Sequence, residues 1–333
     1  MYQLFIGIDV SKQWVDAACW IEGRPEALDR FANSVEGFEQ LVRAVQQVSE
    51  VPQTEWLVCF ENTGHYSKLL LHWLFEQGIP CAEENALQIA RSRGIARGKS
   101  DMSDACVICA YAKRHEDLLI PSKPDAQTIV KLKKLLAQRT LFVRQRAALK
   151  NARKVNHPSL SGPEAEALKK LNDEVIATYS RGIREIESMI EELFKQEAEL
   201  ASNAALLQSV PGIGPVTSWY LIACTKNFSK FQCARKFACY AGIAPFPYES
   251  GSSLRGNAHV HYLANKNIKA LLSNCVLAAI KCDPHLHAYY KRKSNEGKAF
   301  GVVANAIKNK IVSRAFAVIK RQSPYVVLPS YAS

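Results

Sequence analysis

Between residues 3 and 82 the hydrophobic pattern changes period in a way that few folds accommodate. QLFIGIDV (3–10) and WVDAACWI (14–21) read as strands separated by a polar Ser11-Lys12 turn. A Gly23 turn then leads into a third short strand near Leu28 to Phe31. Such short connections predict an antiparallel meander. A helical pattern follows at Val35 to Val48, then an apolar strand at Trp56 to Phe60, a helix from about Tyr66 to Glu76, a Gly78 stop and a strand at Ile79 to Ala82. Antiparallel strands that feed into alternating strand and helix predict a mixed α/β sheet.

Beyond this region the chain changes character. From Ala126 to Pro163 nine Lys or Arg residues (131, 133, 134, 139, 144, 146, 150, 153 and 154) occur without one Asp or Glu. This is a basic helix suited to a polyanion. Across the whole chain, 43 Lys plus Arg against 31 Asp plus Glu give a net charge of +12, which points the same way. Past the Pro158 and Gly162-Pro163 break, Ile176, Tyr179, Ile183, Ile186, Ile190 and Leu193 recur at 3,4 spacing, the pattern of a coiled coil or helical hairpin. An intramolecular helix pair and a dimer seam both satisfy that spacing, and Gly182 weakens it slightly. From Leu206 onward the chain reads as helical, with Pro245 to Gly256 the long polar irregular stretch. The expected divisions are 1–125, 126–200 and 201–333.

Other classes are disfavoured. No apolar run approaches the ~20 residues of a membrane-spanning helix, and no charged leader precedes an apolar stretch, so a cytoplasmic protein is expected. Ten cysteines scattered singly through apolar segments read as reduced core thiols. Cys106 and Cys109 form a lone CxxC without a second pair at zinc spacing.

The chemistry-bearing residues are acidic. Asp9 ends the first strand in GIDVSK and Glu61 ends WLVCFE, so both emerge at strand ends, where open α/β sheets bind ligands. Asp101 and Asp104 sit three apart at the start of an amphipathic helix in KSDMSDACVICAYA. Four converging carboxylates repel unless a divalent cation joins them, and Mg²⁺ suits oxygen ligands. Taken singly, each acid has a plainer role: Asp101 and Asp104 as helix caps, Glu61 as a strand-end charge. An actin-like phosphate loop also opens with a strand and GID, but the later glycine-rich loops of that fold are missing from the sequence.

GIDVSK, FANSVEGFEQL, FENTGHY and KSDMSDA, followed by PGIGPVT, FACYAGIAP and YESGSSLRG, together resemble the DEDD transposases of the insertion sequence 110 type, over nearly the whole chain. The resemblance implies a ribonuclease H-like (RuvC-like) domain with Asp9, Glu61, Asp101 and Asp104 as catalytic metal ligands. It further implies a coiled-coil insertion and a mostly α-helical C-terminal domain with a catalytic serine at Ser250. The family includes site-specific DNA invertases, acts on donor and target DNA, and implies a structured noncoding guide RNA. A serine hydroxyl needs help to lose its proton, and phosphoryl oxygens need positive charge as they gain electron density. Arg255 stands near Ser250; Ser252 and Ser253 are alternatives if ESGSS is only a linker. PGIG, with Gly212 and Gly214, resembles a helix-hairpin-helix turn that meets a phosphate through backbone amides, although a turn serving only helix packing has the same sequence. Lys99, Arg97, Arg93, Lys131, Lys134, Arg139, Arg146, Lys150 and Arg153 are the expected contacts to nucleic-acid backbones. After Arg255-Gly256, NAHVHYLANKNIK departs from the more basic family pattern, with His261, Tyr262 and Ala264 replacing part of it. Exchange of two duplexes implies a dimer pairing into a tetramer. A metal-dependent structure-selective nuclease and a nucleic-acid-binding scaffold are the rival readings.

Overall fold

The computed structural model describes residues 2–92, 101–153, 162–250, 254–259 and 264–327, with the side chains of 101, 246–250 and 254–259 excluded. Two compact units divide the chain, Met1–Pro124 and Asp125–Ser333.

In the first unit, β1 (Leu4–Val10), β2 (Trp14–Ile21), β3 (Arg24–Ala32), β4 (Trp56–Glu61) and β5 (Cys81–Glu84) form one sheet of order β3-β2-β1-β4-β5. The hairpin-linked β1, β2 and β3 pair antiparallel, while β1–β4 and β4–β5 are parallel. This is the expected mixed sheet. The parallel pairings require crossovers, supplied by α1 (Val35–Val48) and α2 (Ser67–Glu76). Ser34 starts α1 by accepting the Gly37 backbone N–H at 3.2 Å, and Phe38, Leu41, Val42 and Val45 form its buried stripe. That stripe joins Ile6, Ile8, Val58 and Phe60 in the core on one face of the sheet. On the other face Phe5, Ala18, Leu57, Cys59 and Ala82 meet residues of α3 (Ala86–Ser92) and α4 (Asp101–Arg114).

The second unit opens with α5 (Gln127–Ala152) and α6 (Pro163–Gln196). They form an antiparallel pair: Ile129, Leu132 and Leu136 share a core with Ile186, Ile190 and Phe194, while further along Phe142 stacks edge-on to Tyr179 and Arg153 meets Asp173. The 3,4 pattern at 183–190 is therefore buried within the chain. Gly182 strengthens this packing, because a Cβ there would lie 2.7 Å from Cε2 of Phe142. The inner ends of both helices merge into one core with α7 (Ala198–Gln208), α8 (Pro215–Thr225), α9 (Ala234–Tyr240), α10 (Lys266–Cys282), α11 (Pro284–Asn295) and α12 (Phe300–Arg321). Asn265 caps α10 by accepting the N–H groups of Asn267 and Ile268, and buried Asp283 caps α11 while pairing with Arg314 at 2.6 Å.

Three sequence expectations need correction. The stretch expected to be irregular at 245–256 contains an antiparallel hairpin, β6 (Phe246–Ser250) with β7 (Leu254–His259). Its proline, glycines and charges hide the strand pattern. β3 is longer than Leu28 to Phe31 because its exposed edge is polar, and β5 lies two residues later than Ile79 to Ala82. All ten cysteines are free thiols, as expected, and burial drives Cys59 and Cys109 far above the ordinary thiol range.

Candidate active site

Asp9 and Glu61 stand on neighbouring strands. The last paired residues of β1 and β4 are Ile8 and Phe60, and each acid follows one residue later at the carboxyl end of its strand. Because side chains alternate, both acids belong to the face opposite buried Ile8 and Phe60, the face that α4 covers. The course of α4 follows from its contacts with β1. The Lys113 ammonium lies over the Phe5 ring at 4.5 Å, the Cys109 thiol donates to the Phe5 carbonyl at 3.3 Å, and the backbones of Cys109 and Ala105 crowd Gly7. The helix thus runs against the strand, and its first turn, with Asp101 and Asp104, is directed toward the Asp9 end.

Gly7 sets this approach. A Cβ there would lie 2.1 Å from the Cys109 nitrogen and 2.3 Å from the Ala105 oxygen. Glycine lets the helix backbone rest directly on the strand. Among the described residues, no group of three or more His, Cys, Asp or Glu is gathered closely enough to hold a metal ion. The Asp101 side chain is outside the described set. The donor chemistry of the candidates suits a hard cation, since all four residue types are carboxylates, and Asp9 and Glu61 share one end of one sheet face.

Two other acids adjoin them. Asp16 lies across from Asp9 in the β1–β2 register, buried, and its two oxygens accept Nε and Nη2 of Arg30 at 2.9 and 3.1 Å. It is a structural charge pair. Glu84 lies across from Glu61, and burial holds its carboxyl above the ordinary range against the lowering pull of the Asn85 backbone N–H and His115. Asn33 ties the loops after both strands together: its Nδ2 donates to the carbonyls of Ser11 at 2.8 Å and Tyr66 at 3.2 Å. Neither residue stands out in the sequence: Asn33 is revealed by its side-chain hydrogen bonds and Glu84 by strand register.

In the second unit Ser250 is the last residue of β6 and pairs with Leu254, while Arg255 stands across from Glu249. Ser252 and Ser253 fall outside the described residues, as do Arg93, Arg97, Lys99, His261 and Tyr262. The hairpin root is well anchored. The Asn265 backbone N–H donates to the Tyr240 carbonyl at 2.9 Å and its Nδ2 to the Tyr240 hydroxyl at 2.8 Å, while Asn305 and Asn309 both donate to the Ile243 carbonyl. In PGIG, Gly212 has φ +95° and a Cβ on it would meet the Cys275 carbonyl at 2.5 Å, so it serves packing on α10. Gly214 caps α8 and has open space where a Cβ would project.

The basic helix divides by partner. Arg139 pairs with Glu187, Arg153 with Asp173, and Arg146 donates to the Ser180 hydroxyl, all on α6. Lys131, Lys134 and Lys150 are exposed.

Comparison with known proteins adds identity to this geometry. A transposase model of the DEDD IS110 type matches residues 6–155, and a model of the IS116/IS110/IS902 transposase family matches 204–291. The chain is 30% identical over 329 residues to the pilin gene-inverting protein of Moraxella bovis, covering 98% of each, and the same holds for that of Moraxella lacunata. It is 25% identical over 257 residues to the transposase of insertion sequence IS1111A from Coxiella burnetii, covering 69% of each. Likeness along the full length, in both matched regions and in that order, shows that the chain belongs to the IS110 family of DEDD transposases, enzymes that cut and rejoin DNA.

Proposed function

We propose that this enzyme recombines DNA through a phosphoserine ester at Ser250, with the reaction assisted by Asp9, Glu61, Asp101 and Asp104 of a RuvC-like domain. The observation that carries this reading is the convergence of two strand-end carboxylates with the first turn of an antiparallel α4 on the same sheet face. Ser250 Oγ attacks phosphorus; the Oγ–P bond forms as one P–O(sugar) bond breaks, and the departing sugar oxygen takes a proton. Attack by the hydroxyl of a new strand reverses the step and restores the serine. The ester retains the phosphodiester energy, so rejoining needs no external source. Arg255 offers charge to the phosphoryl oxygens.

The four carboxylates are assigned as ligands of Mg²⁺, which when bound supplies positive charge to the phosphoryl oxygens and eases deprotonation of the attacking hydroxyl. Lys131, Lys134 and Lys150 engage nucleic-acid backbones, joined by Arg97, Lys99 and the Gly214 end of α8; Arg139, Arg146 and Arg153 shape the α5–α6 arm that carries them. A structured guide RNA fits this sequence-independent contact set, since base pairing then selects donor and target DNA. Two duplexes must be exchanged, which favours a dimer that pairs into a tetramer. No described helix is long and apolar enough to cross a membrane, in keeping with a DNA-processing protein of the cytoplasm. The full-length relatives named for pilin gene inversion favour inversion of a DNA segment as a second use of the same chemistry.

Trapping cleaved DNA under denaturing conditions tests this. The expected adduct maps to Ser250 and disappears in Ser250→Ala, in Glu61→Gln and in EDTA. An adduct on Tyr248, Ser252 or Ser253 moves the nucleophile, and free cleaved ends without any adduct show a water-using nuclease instead.

A further inference from the structure

Asp125 opens the second unit, and its carboxylate accepts Nζ of Lys133 and Nζ of Lys226, each at 2.5 Å. Lys226 ends α8 in a turn that L residues rarely adopt: Lys226, Asn227 and Phe228 have φ of 50°, 52° and 64°, three consecutive non-glycine residues in the left-handed region. The surroundings hold this turn firmly. Thr225 Oγ1 accepts the Phe228 N–H at 2.9 Å, and the Asn227 side chain is gripped by Asn203 and Glu199. The turn folds Lys230 back, so that its N–H reaches the Thr225 carbonyl and its ammonium lies over the rings of Phe231 and Tyr240 at 5.4 and 5.2 Å. Burial lowers Lys230, and the nearby charges of Lys226 and Lys133 lower it further. Lys133 and Lys226 thus share a single carboxylate, while Lys230, seated over Phe231 and Tyr240, adds its charge to theirs from nearby.

One carboxylate cannot balance three like charges, so the cluster keeps an excess of positive charge in a partly desolvated place. It remains open to solvent, with the Lys226 and Lys133 side chains 36% and 41% exposed. It also adjoins the serine hairpin, since Tyr240 beneath Lys230 is the residue that Asn265 clamps at the hairpin root. A strained turn that gathers unbalanced cations at an accessible surface is suited to a polyanion rather than to a closed ion pair.

We propose that Lys133, Lys226 and Lys230 bind a phosphodiester of the nucleic-acid backbone beside the root of the Ser250 hairpin, and that Asp125 holds the lysines in place until a phosphate displaces it. The site rests on the recombinase reading and adds a backbone contact next to the nucleophile's hairpin. A purely structural network makes the opposite forecast for Asp125, whose loss would then only loosen the turn.

The test measures affinity of the full chain for a mixed-sequence DNA duplex and, separately, a mixed-sequence single-stranded RNA across a salt series. Lys226→Gln and Lys230→Gln should each flatten the slope of log affinity against log salt by roughly 1 unit on the nucleic acid that occupies the site. Lys226→Arg should restore the slope, which separates lost charge from lost fold. Asp125→Asn should tighten binding, because it removes the competing anion. The arm that responds identifies the backbone as DNA or RNA. Wild-type slopes in both lysine variants, or weaker binding by Asp125→Asn, overturn the site. The Ser250 adduct assay distinguishes the two levels: an intact adduct with unaltered slopes removes this site alone, whereas loss of the adduct's dependence on Ser250 removes the recombinase reading.

Discussion

Replacing Gly7 by alanine adds one methyl group where no side chain fits. The new Cβ would stand 2.1 Å from the Cys109 nitrogen, 2.3 Å from the Ala105 oxygen and 2.6 Å from the Cys109 Cα. All three are backbone atoms, so no rotamer change relieves the clash and α4 must retreat as a body. Ordinary contact begins near 3.4 Å, so the helix has to move by about 1 Å. Overpacking of this kind costs about 1–3 kcal/mol, which a domain of ordinary stability survives. The larger effect falls on chemistry. Asp101 and Asp104 ride on the first turn of the displaced helix, and in their proposed catalytic role a misplacement of about 1 Å should lower the rate by about 10²-fold. The assay pairs thermal unfolding with the rate of Ser250 adduct formation, and Gly301→Ala serves as control because its Cβ would enter open space. A Gly7→Ala protein that melts lower yet forms the adduct at the wild-type rate refutes the idea that α4 carries part of the active site.

Asp283→Ala strands the Arg314 guanidinium and uncaps α11, for a loss of about 3 kcal/mol by urea unfolding; Asp283→Ala/Arg314→Met should recover most of it, and no recovery would mean the charge pair is not the source. At Asp125, burial would raise the carboxyl, but hydrogen bonds from Lys133 and Lys226 outweigh it and hold it below its ordinary 3.8. A depressed carboxyl contributes stability that is present above 3.8 and lost as pH falls through the folded value. The stability difference between wild type and Asp125→Asn should therefore shrink below about pH 4 in acid titrations of unfolding; a difference that stays constant to pH 2 would contradict the ion pairing.

Much of the first unit can be read from residue order because its inner strands are covered on both faces. LFIGIDV and WLVCFE are nearly unbroken apolar runs, and their terminal acids are conspicuous for that reason. Where one side of an element faces water, the pattern fades: RPEALDRFA hides most of β3, and CAEE hides β5. The hairpin bearing Ser250 was obscured by Pro247 and Gly256, neither of which is a strand former. Partners distant in sequence are the harder loss. A run of nine basic residues says nothing about Glu187 and Asp173, which neutralise Arg139 and Arg153 from 48 and 20 positions away. A 3,4 repeat names a buried face without naming the helix that buries it, so Ile183, Ile186 and Ile190 were equally compatible with a second chain. The lysine cluster at Asp125 depends on three left-handed residues, a backbone choice that no composition announces.

The resting of α4 on Gly7 also has a consequence in time. β1 leaves the ribosome early, but the helix that covers its α4-side face is specified roughly 100 residues later, and at about 5–20 residues per second it follows some 5–20 s behind. During that interval Phe5 and Ala18, joined by Leu57, Cys59 and Ala82 as each is made, present an uncovered apolar surface to the cell. The same delay separates the acids: Asp9 and Glu61 are synthesised well before Asp101 and Asp104, and Ser250 comes later still. A nascent chain therefore carries a sticky, unfinished sheet long before it carries all of the residues proposed to cut DNA. Its vulnerable period is one of aggregation rather than of stray DNA damage.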